Sequence, residues 1–288
     1  MAARQRGVRC RDLARAVRRA PDPARPGRAP GRPGRLTASI VPPNDRSRSP
    51  VANVSSGVPA AWWETLKTSG SVTVFHVDLA EDSARESAAL ALLDEAEHRR
   101  RRGFAYAGPR RQFTLCRAAL RALLTSHLGC CNDQLSFGIA PHGKPFARLR
   151  GEPVRVGFNV SHGGRHGLIA LAAEGRVGVD VEERVEHRNF DLLVDATFGP
   201  EERAELAALD GAPRLHLFFR LWTMKEALLK AHGAGLVLEP TAFEIPRAVR
   251  EGRTDGTVVL PDSPGVSWHV EDLGDDEYAA AVAYELHR

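Results

Sequence analysis

The chain has 288 residues, of which 43% are hydrophobic and 26% charged. These are globular proportions, and the length suffices for one large domain or two of ordinary size. No apolar run approaches the roughly 20 residues of a membrane span, so the sequence predicts a soluble protein. The four cysteines, Cys10, Cys116, Cys130 and Cys131, show no CxxC spacing. This cysteine usage favours a reducing, cytoplasmic setting.

The net charge of +4 is unevenly distributed along the chain. Residues 1–50 contain 13 arginines and three aspartates, a net charge of +10, so the remaining residues carry −6. Residues 1–65 form a basic, low-complexity extension rich in Pro, Gly and Arg, which cannot bury enough apolar surface to offset its ordering entropy. We therefore expect a disordered extension. A nucleic-acid-binding arm, a transit peptide and an upstream start codon are alternative explanations, and we assign the extension no role.

Ordered elements are expected after the extension. Ser71–Ala80 alternates as a strand does, and Ser83–His98 has a helical pattern that runs into Arg99–Arg102. A second helix is predicted over Arg110–Leu128. The arginines before and at the start of this helix, Arg110 and Arg111 among them, form either a solvated face or a phosphate site.

A glycine-lysine turn follows the short predicted strand Leu135–Ala140. Gly138-x4-Gly143-Lys144 matches most of a P-loop, but Pro145 replaces the Ser or Thr that holds Mg2+. The motif also requires a following helix, which this segment lacks. We reject a Walker nucleotide site, and Lys144 remains a candidate anion contact.

A strand pair is predicted at Val156–Val160 and Gly167–Ala172, joined by the turn SHGGRH. Its glycines allow close backbone approach, and Ser161 and His162 supply hydrogen-bond donors. A Ser-His pair suggests a hydrolase, but no GxSxG elbow is present. Adjacent residues also point to opposite sides, so a catalytic triad is not expected.

The next predicted strand, Val177–Glu183, is acidic on one face. Its odd-numbered positions up to 181 are valines, whereas Gly178, Asp180 and Glu182 alternate with them on the other face. Two carboxylates about 7 Å apart along a strand repel each other unless a positive group lies between them. A hard cation such as Mg2+ would offset that repulsion. The alternative is an exposed acidic strand end.

The longest helical pattern is Leu215–Ala231, which follows a loop and a predicted helix at Phe198–Leu209. On it Trp222, Glu226 and Lys230 share one face. An exposed Glu-Lys pair contributes only about 0.2–0.5 kcal/mol, but the Trp indicates that this face points inward. Short strands are predicted to finish the chain at Thr241–Ile245, Thr257–Leu260, Val266–Val270 and Tyr278–Tyr284.

Three segments together, NVSHGG, VGVDVE and LWTMKEALLK, resemble the 4′-phosphopantetheinyl transferase superfamily. The resemblance is to its Sfp type with the W-x-x-KEA variant, and it covers roughly residues 71–246. It implies an α+β fold of two similar halves related by a pseudo-twofold axis, each a small antiparallel sheet packed on helices. We place these halves at 66–165 and 166–288, with coenzyme A bound at their junction. The internal repeat is not visible in the sequence itself.

The resemblance also implies roles for individual residues. Metal ligands are expected at Asp180, Glu182 and Glu226. Catalytic roles are expected for Glu226, Lys230 and Glu182. Contacts to coenzyme A are expected from Lys144, Ser161, His162, Arg110, Arg111 and Lys230.

The implied activity is the Mg2+-dependent transfer of phosphopantetheine from coenzyme A to a serine of an acyl-, peptidyl- or aryl-carrier protein. By analogy with the family the enzyme is a cytoplasmic monomer in polyketide or nonribosomal peptide metabolism. Glu226, Glu182 and a metal-bound water all stay open as the base. The alternatives are another Mg2+-dependent phosphate-handling enzyme and a nucleic-acid-binding protein acting through its basic arm. The acidic remainder of the chain argues against nucleic acid as a partner.

Overall fold

The structure is a computed structural model that describes residues 61–186, 188–233 and 238–286. The predicted extension lies outside the described residues up to position 60. Residues 61–65, which were predicted to belong to the extension, are part of the fold. Trp62 is buried, and its indole Nε1 donates to the Leu115 carbonyl at 3.2 Å. The first strand begins at the next residue. The aromatic pair thus ends the extension earlier than predicted.

Helices and strands follow one another in groups along the described chain. The helices are α1 (Ser83–Leu90), α2 (Glu95–Arg102), α3 (Ala107–Leu128), α4 (Phe190–Thr197), α5 (Pro200–Ala207), α6 (Gly211–His232) and α7 (Arg247–Arg250). The strands are β1 (Trp63–Ser69), β2 (Val72–Asp78), β3 (Leu135–Ile139), β4 (Pro145–Leu149), β5 (Glu152–Pro153), β6 (Gly157–Gly163), β7 (His166–Ala172), β8 (Val177–Glu183), β9 (Asp255–Val259), β10 (Ser267–Asp272) and β11 (Tyr278–Leu286). None of the helices in the described residues is long and apolar enough to cross a membrane.

Two four-stranded antiparallel sheets form the body of the protein. The first has the order β1-β2-β7-β6 and the second the order β8-β11-β10-β9, while β3, β4 and β5 form a smaller third sheet. Each of the two larger sheets has a 22-residue helix against it, α3 for the first and α6 for the second. The predicted α+β class with two halves is confirmed.

The apolar side chains define four layers in the order helix, sheet, sheet, helix. One core lies between α3 and the first sheet, and another between α6 and the second sheet. A third core joins the inner faces of the two sheets. It contains all three valines of β8, together with Val74, Leu168 and Val282 among others. The valine face of β8 is therefore the contact surface between the halves.

The division between the halves lies later than predicted. Strand β7 pairs with β2 as well as with β6, so it belongs to the first sheet. A boundary between residues 165 and 166 would cut the turn of the β6–β7 hairpin. The two sheets are instead joined by residues 173–176, which lie between β7 and β8.

Two predicted elements take a different form in the structure. The predicted helix Ser83–His98 is broken, because the Asp94 carboxylate accepts from the Glu97 N–H at 2.9 Å and the Glu97 carboxylate accepts from the Asp94 N–H at 3.0 Å. This reciprocal pair is a capping box that starts a new helix. The predicted strand Thr241–Ile245 is wrong, since Pro240–Ala242 forms a 3₁₀ turn.

Candidate active site

The acidic face of β8 lies directly beneath helix α6. A Cβ atom added to Gly178 would lie 2.1 Å from the Ala227 carbonyl oxygen, so the backbones of strand and helix touch at this glycine. Asp180 follows two residues later on the same face and is fully buried. The predicted alternation is confirmed, since the valines pack between the sheets while Gly178 and Asp180 contact α6.

The side chains of Ser161, Asp180 and Lys230, which come from three different elements, form one cluster. The Asp180 Oδ1 atom accepts hydrogen bonds from the Ser161 hydroxyl of β6, at 2.8 Å, and from the Lys230 ammonium of α6. The Lys230 ammonium also lies 2.9 Å from the Ser161 oxygen and 3.2 Å from the Val179 carbonyl. Since β6 is the edge of the first sheet and β8 the edge of the second, this cluster joins the two halves.

The second carboxylate oxygen of Asp180 is a candidate metal ligand. Oδ2 is buried and has no hydrogen-bond partner in the described part of the chain. Glu182 is also buried, and Glu226 lies one helical turn before Lys230 on α6. A buried carboxylate oxygen without a hydrogen-bond partner in the described residues suits a hard divalent cation such as Mg2+, to which Glu182 and Glu226 would add further carboxylate oxygens.

The three predicted ligands do not form a closed metal site as their side chains stand. Within the described residues, no three His, Cys, Asp or Glu side chains are grouped so that they could hold a metal ion. The assignment of Asp180, Glu182 and Glu226 as ligands therefore stays a prediction. It rests on the orphaned Oδ2 atom and on the oxygen-only donor set.

Lys144 contacts the protein's own backbone. Its ammonium donates to the carbonyls of Val177, Lys230 and Ala231 at 3.0, 2.7 and 3.2 Å. Burial, with a smaller effect of Arg176, lowers the pKa of Lys144 to about 8. A cation on the last carbonyls of a helix is a favourable C-terminal interaction. Lys144 thus ties the start of β8 to the end of α6, and its predicted contact with coenzyme A is untested.

The two arginines predicted to contact phosphate lie near the start of α3, as its fourth and fifth residues. Arg110 donates to the Phe104 carbonyl at 2.8 Å, and Arg111 donates to the Leu79 carbonyl at 3.1 Å. Arg111 also pairs with Glu81 at 3.0 Å. The next residue, Gln112, reaches the β6–β7 turn, so this helix start borders the hairpin that carries Ser161 and His162. In the described part of the chain, the hydrogen bonds and ion pairs of these two arginines go to other groups than the Asp180 cluster.

Sequence reasoning missed the role of Lys225, the first residue of the KEA segment. Its ammonium is fully buried and lies 2.7 Å from Glu202, which is itself fully buried. It also donates to the carbonyls of Pro240 and Phe243 at 2.8 and 2.6 Å. Burial lowers the pKa of Lys225, against the opposing effect of Glu202. A signal was present, because position 225 lies in the apolar stripe that also contains Phe218, Leu221, Trp222 and Leu228.

Two family models match consecutive parts of the chain. A model described as the 4′-phosphopantetheinyl transferase superfamily matches residues 176–283, and one described as the N-terminal part of 4′-phosphopantetheinyl transferase matches residues 82–175. The border between the two matches coincides with the connection between the two large sheets. The family models thus divide the chain where the sheets do.

Curated relatives point the same way. The chain is 40% identical over 148 residues to a putative 4′-phosphopantetheinyl transferase of Synechocystis, covering 51% of this chain and 59% of that protein. It is 31% identical over 168 residues to the 4′-phosphopantetheinyl transferase HetI of Nostoc, covering 58% and 71%. A Bacillus subtilis 4′-phosphopantetheinyl transferase is 30% identical over 148 residues, covering 51% and 62%. The chain thus spans about three fifths of the length of the first and third of these relatives.

Proposed function

Because the chain belongs to the 4′-phosphopantetheinyl transferase superfamily, we propose that it transfers 4′-phosphopantetheine from coenzyme A to a serine of an acyl-, peptidyl- or aryl-carrier protein. The observation that carries the proposal is the meeting of Ser161, Asp180 and Lys230 at the junction of the two halves. Each of these residues comes from a different one of the three sequence segments. A buried junction lined by donors and carboxylates suits a pyrophosphate ligand with a metal ion.

In the proposed reaction the carrier serine oxygen forms a bond to the β-phosphorus of coenzyme A. The bond from that phosphorus to the bridging oxygen breaks, and adenosine 3′,5′-bisphosphate leaves with the bonding electron pair. Mg2+, when bound, supplies charge neutralisation at the pyrophosphate. Asp180, Glu182 and Glu226 are the residues that would hold it.

The chain's own side chains have distinct tasks in this proposal. Lys230 presents its ammonium to the leaving phosphate, where a positive charge stabilises the developing negative charge. Ser161 holds the Asp180 carboxylate in place through its hydroxyl. The serine proton passes to a carboxylate, either Glu226 or Glu182. Ser161, His162, Lys144, Arg110 and Arg111 are the proposed contacts for the phosphates of coenzyme A.

The finer parts of the proposal concern the setting of the enzyme. We propose Mg2+ as the metal, a cytoplasmic monomer as the working form, and carrier domains of polyketide or nonribosomal peptide assembly as the substrates. These parts are supported by analogy with the family.

The test is a transfer assay with purified protein. Coenzyme A, Mg2+ and a panel of apo carrier proteins from fatty acid, polyketide and nonribosomal peptide synthesis are incubated with the protein, and the carriers are weighed by mass spectrometry. We expect the mass of at least one carrier to increase by one phosphopantetheine group. Asp180→Ala should abolish the transfer and keep the wild-type circular dichroism spectrum.

The matched control is Asp195→Ala, which removes an exposed aspartate of α4. It should transfer at the wild-type rate. If the wild-type protein modifies no carrier of the panel, the proposed function is wrong. If Asp180→Ala retains the wild-type rate in Mg2+, the assignment of Asp180 as a metal ligand is wrong, although the transferase function stands.

A further inference from the structure

The acidic segment of β8 ends in two consecutive glutamates that serve opposite sides of the strand. Glu182 lies on the face of Asp180, and its Oε2 atom lies 3.3 Å from where a Cβ atom on Gly163 would be. Glu183 alternates with it, on the valine face, and therefore points toward the first sheet. There its Oε1 atom accepts a hydrogen bond from the backbone N–H of Arg165 at 3.0 Å. Arg165 lies in the turn of the β6–β7 hairpin, so the second glutamate reaches the other half of the protein.

The same turn is held from a second direction by helix α3. The side-chain amide of Gln112 donates to the Gly164 carbonyl at 2.8 Å. Gly164 has a φ of +53°, and a Cβ atom placed on it would lie 1.8 Å from the Glu183 Oε1 atom. The carboxylate of Glu183 thus occupies the space that a side chain at position 164 would need. Two consecutive residues of the turn are gripped, one by β8 and one by α3.

This hairpin carries residues of the proposed active site. Ser161 lies three residues before Gly164 and hydrogen-bonds to Asp180 and Lys230. A Cβ atom on Gly163 would lie 2.7 Å from the Val181 carbonyl oxygen, so the strand end packs directly on β8. A shift of the turn would therefore move Ser161 and His162 relative to the carboxylates of β8.

We propose that Glu183 is a positioning residue of the transferase. Its carboxylate, together with Gln112, holds the β6–β7 turn so that Ser161 and His162 meet coenzyme A in a fixed geometry. The inference rests on the proposed function for its kinetic consequence, whereas the contact itself is a property of the fold. The property that matters is the hydrogen-bond acceptor at position 183, and the negative charge is not required.

The kinetic test separates the acceptor from the charge. Glu183→Ala removes both, and Glu183→Gln removes the charge but keeps a carbonyl oxygen for the Arg165 N–H. We expect the KM for coenzyme A to rise about threefold to tenfold in Glu183→Ala, the range of one net hydrogen bond, with a smaller change in kcat. Glu183→Gln should restore the wild-type KM to within about twofold. Equal effects of the two substitutions would overturn the proposal, because they would assign the effect to charge beside the metal ligands.

A second arm tests, without any catalytic readout, whether Glu183 and Gln112 hold the β6–β7 turn, an arrangement called the clamp below. Gly164→Ala should push the Glu183 carboxylate off the Arg165 N–H, in addition to the cost of an alanine at positive φ. Only the cost at positive φ should remain when Gly164→Ala is made in the Glu183→Ala background. We therefore expect the sum of the melting-temperature losses of the two single variants to exceed the loss of the double variant. Amide exchange at Arg165 should accelerate in Glu183→Ala and stay near wild type in Glu183→Gln.

The two arms distinguish failure of the proposal from failure of the proposed function. If the wild-type protein has no transferase activity, the melting temperatures of the single and double variants and the amide exchange rates still support or refute the clamp. Additive melting-temperature losses, with unchanged exchange at Arg165, would overturn it. If the protein is active and the clamp is confirmed but the KM is unaffected in Glu183→Ala, the positioning role is refuted.

Discussion

Replacing Lys225 with methionine should strongly destabilise the fold without removing a catalytic group. Its ammonium has no exposed surface and is held by Glu202 and by the carbonyls of Pro240 and Phe243. Through these contacts α6 is connected to α5 and to the segment before α7. Lys225 precedes Glu226, a proposed metal ligand, yet it points into the core of the second half.

The magnitude follows from what the substitution leaves behind. Methionine is about as long as the lysine stem, so the cavity is small and the main cost is electrostatic. Glu202 would keep its hydrogen bonds from the Gly199 and Ile245 N–H groups, at 3.0 and 2.8 Å, but would lose the Lys225 ammonium at 2.7 Å. Removing one partner of a buried pair costs about 3–5 kcal/mol. At about 2–4 °C per kcal/mol for a protein of this size, the melting temperature should fall by roughly 10 °C.

The assay is urea unfolding at neutral pH, with Glu202→Gln added to the lysine variant as the matched comparison. The double variant should be more stable than Lys225→Met by more than about 1 kcal/mol, because it leaves no charge buried alone. At a temperature where it is folded, Lys225→Met should still transfer phosphopantetheine. A variant with wild-type stability would refute the structural role. A folded variant without transferase activity would give Lys225 a catalytic one.

Three further predictions concern ligand binding and pH. Coenzyme A should bind at least about tenfold more tightly than dephospho-coenzyme A in calorimetry. His162→Ala should reduce that ratio, since one charge-assisted hydrogen bond is lost. Equal binding of both ligands to the wild-type protein would contradict the role of the SHGGRH turn. Burial lowers the pKa of both His76 and His166, whose ring nitrogens lie 3.0 Å apart. The free energy of unfolding should therefore fall as the pH drops below the ordinary histidine pKa of 6.5, and His166→Gln should make that pH dependence weaker. The pKa of Lys144 is lowered from 10.5 to about 8, so the stability of wild type relative to Lys144→Met should rise as the pH increases from about 8 to 10.5. A stability difference that does not change with pH in thermal scans would contradict the burial of the Lys144 charge.

The elements around the site were predictable because their periodicity is strong and local. β8 has the predicted bounds, Val177–Glu183, since three valines alternate with smaller or acidic residues. The hairpin of β6 and β7 was predicted from two apolar runs flanking glycines. The break at Asp94 had a local signal as well, an acidic residue followed three positions later by glutamate, but the helical pattern across it concealed the signal. β1 was missed because five of its seven residues are exposed, which leaves no alternation to read.

The contacts within the site depend on long-range packing, which single-sequence periodicity does not contain. Ser161, Asp180 and Lys230 are 19 and 50 residues apart in sequence and converge only when the two sheets stack. The sequence identified each of them as polar and unusual in its place, but not that the serine hydroxyl would be used on the aspartate. Lys144 was likewise expected to meet an anion, and the nearest acceptors turned out to be the last carbonyls of α6.

The register of β8 explains why its acidic segment needs a glycine. Asp180 and Glu182 can face α6 only if the position before them passes under the helix, and there a Cβ atom would meet the Ala227 carbonyl and the Ala231 nitrogen at 2.1 and 2.3 Å. A shift of one residue would place a valine in that space and turn both carboxylates into the core between the sheets, at a large desolvation cost. The steric requirement at Gly178 and the desolvation cost of the carboxylates therefore favour the same register. The same register sends Glu183 toward the hairpin of the other half, so one strand aligns both the proposed active-site carboxylates and the proposed positioning residue.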